Sequence, residues 1–444
     1  MSRVRALSDL QPRLAKRANA SNDRLVAYQS GERVAPCSHA STKAELLYDP
    51  AAWAPRVLIQ VSILRTVDQG RRVRFVHSSD WQLGMRPHLL DEGRAELFGQ
   101  ARLDAVRKLG QLAAQRDCEF VVVAGDVFES NQVDRRTIAQ GLDAMASIPV
   151  PTYLLPGNHD PLDPGSVYRS ETFRSRRPAN VTVLERPGLV EVRPGLELVA
   201  VPWPSKRPPI DLVAQACRQL VPAGLRILVG HGAVSSFEVS RDNPATIQLE
   251  ALEEAVASGR LHYAALGDCH SVTEVVTRIW YSGSPEATDF GETDSGRALV
   301  VELDEQSCSV EPVPIGTWRF VRQDFDLFSA EELGRLRGWL AGQAEKGRTV
   351  IRLGLRGTLT LGLKAQLDQL LEEQRELFAS IDWWEAESDL VVLPDDGDFG
   401  GLQLSGFAEE ARKRLMAEAR PGGVDAELAR ESLALLYRLA GTAR

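Results

Sequence analysis

Five short apolar runs between residues 73 and 270 each end in side chains that can bind a metal ion. They read Phe75-Val-His-Ser-Ser-Asp80-Trp-Gln82, Val123-Ala-Gly-Asp126, Pro156-Gly-Asn158-His159-Asp160, Val229-Gly-His231-Gly232 and Leu266-Gly-Asp268-Cys-His270. In an α/β sheet, ligand sites gather beyond the carboxyl ends of the strands. A chain with this pattern is therefore expected to bring five strand ends together. In four of the five a glycine precedes the polar residue, which lets the backbone turn tightly and aim the side chain across the sheet edge.

The candidate metal ligands are Asp80, Gln82, Asp126, Asn158, His231, Asp268 and His270, a set of three carboxylates, two imidazoles and two amides. Mixed oxygen and nitrogen donors suit Mn²⁺, Fe²⁺ or Zn²⁺ better than Ca²⁺, and the thiolates of a structural zinc site are missing from the set. Seven donors are too many for one tetrahedral ion and suit two ions sharing a carboxylate. Such a pair, about 3.5–4 Å apart, activates water and clamps a phosphoryl group for in-line displacement. Without cations, three carboxylates in one place repel. Taken singly, each residue has a plain explanation: a Gly-Asp after a strand makes a turn, and Asn158 caps one. The ordered combination carries the argument. His77 reads as a satisfied core histidine, and His39, His88 and His262 as structural. Strand alternation turns Trp81 and Cys269 away from their ligand neighbours and into packing.

Around these motifs, strand-like and helical patterns alternate from residue 72 onward. Val73–Val76, Glu119–Val123, Thr152–Leu155, Leu225–Val229 and His262–Leu266 read as strands. Ala95–Ala114 and Arg135–Met145 read as helices, the first with Leu97, Ala101, Ala105 and Leu109 near one face. Residues 181–201 and 278–313 are β-rich, so a layered α/β sandwich with mixed sheets is expected rather than one parallel sheet. A small α/β domain follows over 318–400, with a strand at Val350–Leu355, a helix carrying Leu363, Leu367, Leu370, Leu371 and Leu377/Phe378, and a strand at Leu390–Leu393. An acidic, Gly-rich linker closes it at 394–401. The tail, 401–444, reads as a helical pair broken at Pro421-Gly-Gly423, its second helix capped by Asp425 and striped with Leu428, Leu435, Leu436 and Leu439. That stripe packs on its own domain or docks on a partner helix.

Residues 1–71 stand apart. They hold 11 Lys/Arg and 6 Asp/Glu, a charge of +5 against −14 for the remainder of a chain whose net charge is −9. Their apolar residues lack a sustained period before Arg56–Leu64, so a poorly ordered extension ending in a strand is expected. A mis-set start codon and a basic arm touching DNA are the alternatives. The basic N-terminus lacks the apolar stretch of a secretory signal, and no run approaches about 18 apolar residues. Five scattered cysteines without a Cys-x-x-Cys pair argue against a disulfide framework and fit a reducing cytoplasm. Net acidity disfavours nonspecific coating of nucleic acid but not a nuclease, because bound cations supply positive charge where phosphate sits.

The order of the motifs resembles the calcineurin-like metallophosphoesterase superfamily. Within it, Val76-His-Ser-Ser-Asp-Trp-Gln-Leu-Gly-Met85, Gly125-Asp-Val-Phe-Glu-Ser130, Gly157-Asn-His-Asp160 and Tyr281-Ser-Gly-Ser-Pro-Glu286, followed by Asp289-Phe-Gly-Glu292, resemble the SbcD-type DNA repair exonucleases. The likeness covers about residues 72–313 well, reaches loosely to Leu393 and leaves out 1–71. It implies that Asp126 bridges two metals, that Asp80, Gln82 and His270 complete one, and that Asn158, His231 and Asp268 complete the other. It assigns catalysis to His159, facing the substrate, with Asp160 orienting it. It further implies Mn²⁺-dependent cleavage of DNA, a capping domain after Trp318, a homodimer, and an SMC-like coiled-coil ATPase partner, for which the tail helices are the docking candidate. Two positions depart from the family, which usually has His at both: Gln82 is a weak neutral ligand that water could replace, and Asp268 is a competent anionic one. Exchanging nitrogen for oxygen favours Mn²⁺ or Mg²⁺ over softer ions. A phosphodiesterase or phosphatase for a small or protein substrate, and a weakly active structural subunit of an ATPase complex, stand as the competing readings.

Overall fold

The computed structural model describes residues 72–237, 243–384, 386, 388–393, 406–418, 428, 429, 432, 433, 435 and 436. The expectations for residues 1–71, the 394–401 linker, the 421–423 break, Leu439 and the Asp425 cap lie outside them. Two compact units divide the chain: one runs to Met85 and resumes over Gly99–Gly316, and the other takes Arg86–Phe98 and Thr317 onward.

In the first unit the strands are, in order, β1 (Val73–Ser78), β2 (Phe120–Val123), β3 (Thr152–Leu154), β4 (Val181–Val183), β5 (Gly188–Arg193) and β6 (Leu196–Ala200). β7 (Leu225–His231), β8 (Tyr263–Gly267), β9 (Thr273–Val276), β10 (Ile279–Tyr281), β11 (Arg297–Leu303) and β12 (Cys308–Pro314) follow. They form two six-stranded sheets, ordered β12-β11-β1-β2-β3-β4 and β5-β6-β7-β8-β10-β9. Both are mixed. β1 to β4 run parallel, with β11 and β12 added antiparallel. β6, β7, β8 and β10 run parallel, with β5 and β9 antiparallel at the edges. The layered sandwich with mixed sheets expected from the sequence is the fold observed.

Alternation decides which residues face which layer. Phe75, Phe120, Val122, Leu198, Ile227, Val229, Ala265 and Val301 meet in one buried cluster drawn from both sheets, so the sheets pack face to face. Phe75 stacks on Phe120, with centroids 5.1 Å apart. The opposite face of the first sheet supplies Val76, Val121 and Val123 to a second cluster with Val106 and Leu109 of the helix Glu92–Gln115 and Ile138 and Leu142 of the helix Arg135–Ala146. The outer face of the second sheet buries Val199, Leu228 and Leu266 with residues of the helices Leu212–Gln219 and Leu249–Ala257. Two of these helices begin at aspartates whose carboxylates accept the backbone N–H three residues on, Asp134 from Thr137 and Asp211 from Ala214.

The phase of the long helix differs from the sequence expectation. Its buried residues include Arg102, Leu103, Ala105, Val106, Leu109, Leu112 and Ala113, whereas Leu97 is 61% exposed. The run Ala101-Ala105-Leu109 is right in spacing, but the stripe does not extend back to Leu97.

The second unit is built on a parallel sheet of β13 (Arg319–Leu327), β14 (Thr349–Thr360), β15 (Ser380–Trp383) and β16 (Asp389–Leu393). Leu333, Leu336 and Leu340 of the helix Ala330–Ala341, and Leu367, Leu370 and Leu371 of the helix Leu361–Arg375, cover one face of it over Ile351, Leu353 and Leu355. Ser329 and Glu332 form a capping box at the first of these helices. Phe378 is buried, but the helix has already ended and Leu377 is exposed. Helical structure is present in the tail at Phe407–Glu418 and at the described residues between 428 and 436. Of the expected leucine stripe, Leu428 and Leu435 are exposed and Leu436 is half-buried, while Ala429 and Leu433 are buried among the described residues there. None of the described helices is long and apolar enough to cross a membrane. Cys118, Cys217, Cys269 and Cys308 are free thiols.

Candidate metal centre

The five strands that end in candidate ligands come from both sheets: β1, β2 and β3 from the first, β7 and β8 from the second. Beyond β1 and β2 the two chains stay paired as they leave the sheet. Asp80 N–H donates to the Gly125 carbonyl (3.0 Å), Gln82 N–H to that of Asp126 (2.9 Å), and Leu83 N–H to that of Val127 (2.9 Å). Along this extension Asp80, Gln82 and Asp126 hold positive φ angles of 52°, 41° and 54°, and Asp268 beyond β8 has φ 100°. Left-handed backbone at a residue other than glycine costs on the order of 1–3 kcal/mol and collects at functional sites. Four of the seven candidate ligands carry it here.

The side chains form two groups around the buried Asp126. In one, His231 Nε2 lies 2.6 Å from Asn158 Oδ1, 3.5 Å from Asp126 Oδ1 and 3.7 Å from Asp268 Oδ1. In the other, His270 Nε2 lies 3.8 Å from Asp80 Oδ1 and 3.4 Å from Gln82 Nε2. Donor atoms of Asp80, Asp126 and His231 all lie within 4.8 Å of one another. The structure thus brings all seven candidates to one place.

Each imidazole is anchored by its other nitrogen. His231 Nδ1–H donates to the Ala124 carbonyl (2.8 Å), and His270 Nδ1–H donates to Glu292 Oε1 (3.0 Å), with Thr288 Oγ1 also 2.7 Å away. Anchoring Nδ1 leaves both Nε2 lone pairs for a cation. Asp80 is held by the Ser79 hydroxyl (2.6 Å) and the Asp268 N–H (3.1 Å), and Ser79 in turn meets Ser282 Oγ at 2.8 Å. The Tyr281–Pro285 segment therefore braces the floor beneath Asp80.

These residues fit a pair of divalent cations. Their charges would otherwise repel, both Nε2 atoms face inward, and the buried Gln82 Oε1 has no hydrogen-bond partner, as an oxygen placed for an ion would not. Asp80, Gln82 and His270 would hold one ion, and Asn158, His231 and Asp268 the other, with Asp126 between. Metals so placed would polarise a phosphate and supply hydroxide at neutral pH.

The ionisation of the site reflects this crowding. Burial opposes charge on His270, but its Glu292 hydrogen bond and the carboxylates of Asp80, Glu292 and Asp268 outweigh it and raise the pKa to about 9. Burial likewise opposes charge on His231, and Asp126 with Asp80 and Asp268 drives its pKa well upward. Burial pushes the Asp268 carboxyl up to about 6. A cation needs His270 neutral, so below about pH 9 binding must expel its proton, and affinity rises with pH toward that value. For one proton the rise is about tenfold per pH unit. Calorimetry of Mn²⁺ binding near pH 7.5 in buffers of different ionisation enthalpy is expected to register at least about one proton released per protein, and a count of zero contradicts the assignment.

His159 is half-buried at the rim. Its N–H donates to Asp126 Oδ1 (2.9 Å), its ring Nδ1–H donates to the Glu129 carbonyl (2.8 Å), and Nε2 lies 3.9 Å from Asp126 Oδ2. The expected role of Asp160 is corrected. Its fully buried carboxylate accepts from Gly157 N–H (2.9 Å), Phe128 N–H (2.9 Å) and Tyr168 O–H (2.6 Å), so it braces the turn that carries Asn158 and His159, and Glu129 orients the ring.

Of the residues set aside by sequence, His77, Trp81, His262 and Cys269 have structural partners, and His39 lies outside the described residues. His77 is fully buried between Tyr263 O–H and the Leu266 carbonyl (both 3.1 Å), and burial lowers its pKa to about 3. Trp81 is buried and donates to Ser78 Oγ (2.9 Å). His262 accepts from Arg226 N–H (3.1 Å), and Cys269 Sγ lies 3.6 Å from the Ser271 carbonyl. Sequence reasoning assigned no role to Glu292 or Glu129. The only hint was their place in the Asp289–Glu292 and Gly125–Ser130 segments. Because Glu292 fixes the ring of His270, Glu292→Gln is expected to lower metal affinity about 10–100-fold without unfolding the protein. Titration of Mn²⁺ into the folded variant checks this.

Residues 73–263 match the family described as calcineurin-like phosphoesterase. Among solved structures, a protein designated TT1561 of Thermus thermophilus is 10% identical over 55% of this chain and 99% of its own, with a TM-score of 0.34. A dimetal phosphatase from Danio rerio is 9% identical over 54% of this chain and 98% of its own (TM-score 0.33). Purple acid phosphatase from yellow lupin seeds is 13% identical over 55% of this chain and 52% of its own (TM-score 0.34). No curated protein matches by sequence.

Proposed function

Taking a calcineurin-like metallophosphoesterase fold, with its metal-dependent phosphoester hydrolysis, as the premise for residues 73–263, we propose that this protein is a phosphodiesterase acting on DNA. It works as an exonuclease in repair, uses two Mn²⁺ ions and pairs with an SMC-like coiled-coil ATPase. The observation that carries the hydrolase reading is the convergence of Asp80, Asp126 and His231 donors within 4.8 Å, with His231 Nδ1 anchored on Ala124 and Asp126 contacting the rim histidine. DNA as substrate rests on the SbcD-like motifs and on the second α/β unit, which takes the role of a capping domain.

The chain's own groups suit in-line attack on a phosphodiester. Asp126 and Asp268 carry negative charge that would hold the cations beside a phosphate. His159, with Nδ1–H committed to Glu129, presents Nε2 at the rim, where it donates to a phosphoryl oxygen or to the leaving oxygen when protonated. Asp160 keeps the turn beneath it in place. In the tail, the exposed Phe407, Leu428 and Leu435 supply apolar surface for the ATPase coiled coil. Truncation after residue 406 that left ATPase binding unchanged would remove that part of the proposal.

The purified chain with Mn²⁺ is to be assayed on linear duplex DNA and on a small phosphodiester. Release of nucleotides from DNA ends is expected. Cleavage of the small ester alone would replace DNA with a small substrate, and cleavage of neither would leave a structural subunit.

A further inference from the structure

The helix Glu92–Gln115 carries a buried guanidinium where a surface residue would be expected. Arg102 is 2% exposed. An arginine is rarely buried unless its charge is matched. Its NH1 donates to the Trp81 carbonyl (2.6 Å), and NH2 lies 3.1 Å from Met85 Sδ. Trp81 stands between Asp80 and Gln82, both left-handed. The guanidinium therefore grips the peptide between two candidate ligands. Burial disfavours its charge, while Glu286, Glu292, Glu129 and Asp80 favour it. Two of these are themselves part of the site: Asp80 is a candidate ligand, and the Glu292 carboxylate fixes His270.

We propose that Arg102 is a positioning residue that holds the Asp80–Gln82 turn and so maintains the cation position formed by Asp80, Gln82 and His270. This rests on the two-cation reading of the site. The geometry makes the effect one-sided. Arg102 grips the turn that bears Asp80 and Gln82, whereas the Asn158 turn is braced by Asp160 and His231, at the end of β7, is held through its ring by the Ala124 carbonyl. An arginine that served packing alone would weaken both positions alike through general destabilisation.

The test compares Arg102→Lys and Arg102→Met in the full chain. Mn²⁺ is titrated calorimetrically, and bound metal is counted by elemental analysis after gel filtration. Wild type is expected to bind two ions. Arg102→Met is expected to retain one, and Arg102→Lys, which keeps the charge but loses the forked grip, to bind two with one dissociation constant raised about tenfold. Two wild-type affinities in Arg102→Lys overturn the proposal, as does a parallel loss of both. If Arg102→Met does not fold, Arg102→Lys decides alone. Wild type that binds two ions yet cleaves no phosphodiester would defeat the proposed function and leave this inference standing, whereas wild type that binds no metal defeats the reading beneath both.

Discussion

Asp126→Asn is expected to abolish hydrolysis while leaving the fold intact. Asp126 Oδ1 lies 3.5 Å from His231 Nε2 and accepts the His159 N–H, so the residue touches both the candidate ligand cluster and the rim histidine. Burial disfavours its charge, but His231 and His159 outweigh that and hold its pKa below the ordinary carboxylate value. The neutral amide keeps the size and one acceptor but removes the charge at the shared position. Metal-borne charge stabilisation is worth several kcal/mol, so kcat is expected to fall about 10³-fold or more. The readout is hydrolysis with Mn²⁺, beside circular dichroism of the same preparation. Activity within about tenfold of wild type would remove Asp126 from the centre.

Gly125→Ala is expected to cost both stability and metal binding. A Cβ there would sit 2.1 Å from His231 Nδ1, and the residue has φ +98°. The contact displaces the ring from the Ala124 carbonyl that anchors it. Left-handed strain of about 1–2 kcal/mol adds to about 1–3 kcal/mol of overpacking. The sum lowers the melting temperature of a unit of this size by about 5 °C or more. Gly99→Ala, at an open helical position, is the control and should stabilise slightly. Equal melting curves and equal Mn²⁺ affinity for Gly125→Ala and wild type would contradict the packing argument.

The parts of this structure that could be read from sequence are those where chemistry and periodicity agree. Phe120–Val123 is apolar throughout because it is covered on both faces, and a polar cluster at its end has no packing reason to be there. That made the layered fold and the seven converging side chains visible. Arg102 was hidden because an arginine within a helical pattern resembles any solvated charge. Its partners are a carbonyl at position 81 and acids as far as 292. Asp160 was misassigned because adjacency to His159 suggested contact, whereas its carboxylate turns back to Gly157, Phe128 and Tyr168. β13 escaped notice because Arg319, Arg322, Asp324 and Asp326 break up its apolar residues. The left-handed angles at Asp80, Gln82 and Asp126 were invisible because none of these residues is a glycine.

The origin of the pocket in two separate sheets has a mechanical consequence. Asp80, Asp126 and Asn158 ride on one slab and His231, Asp268 and His270 on the other. Sliding the slabs by even an ångström would misalign the halves without melting a single strand. Catalysis is thus a gauge of interlayer registry, and on warming it should fade ahead of the loss of β-structure.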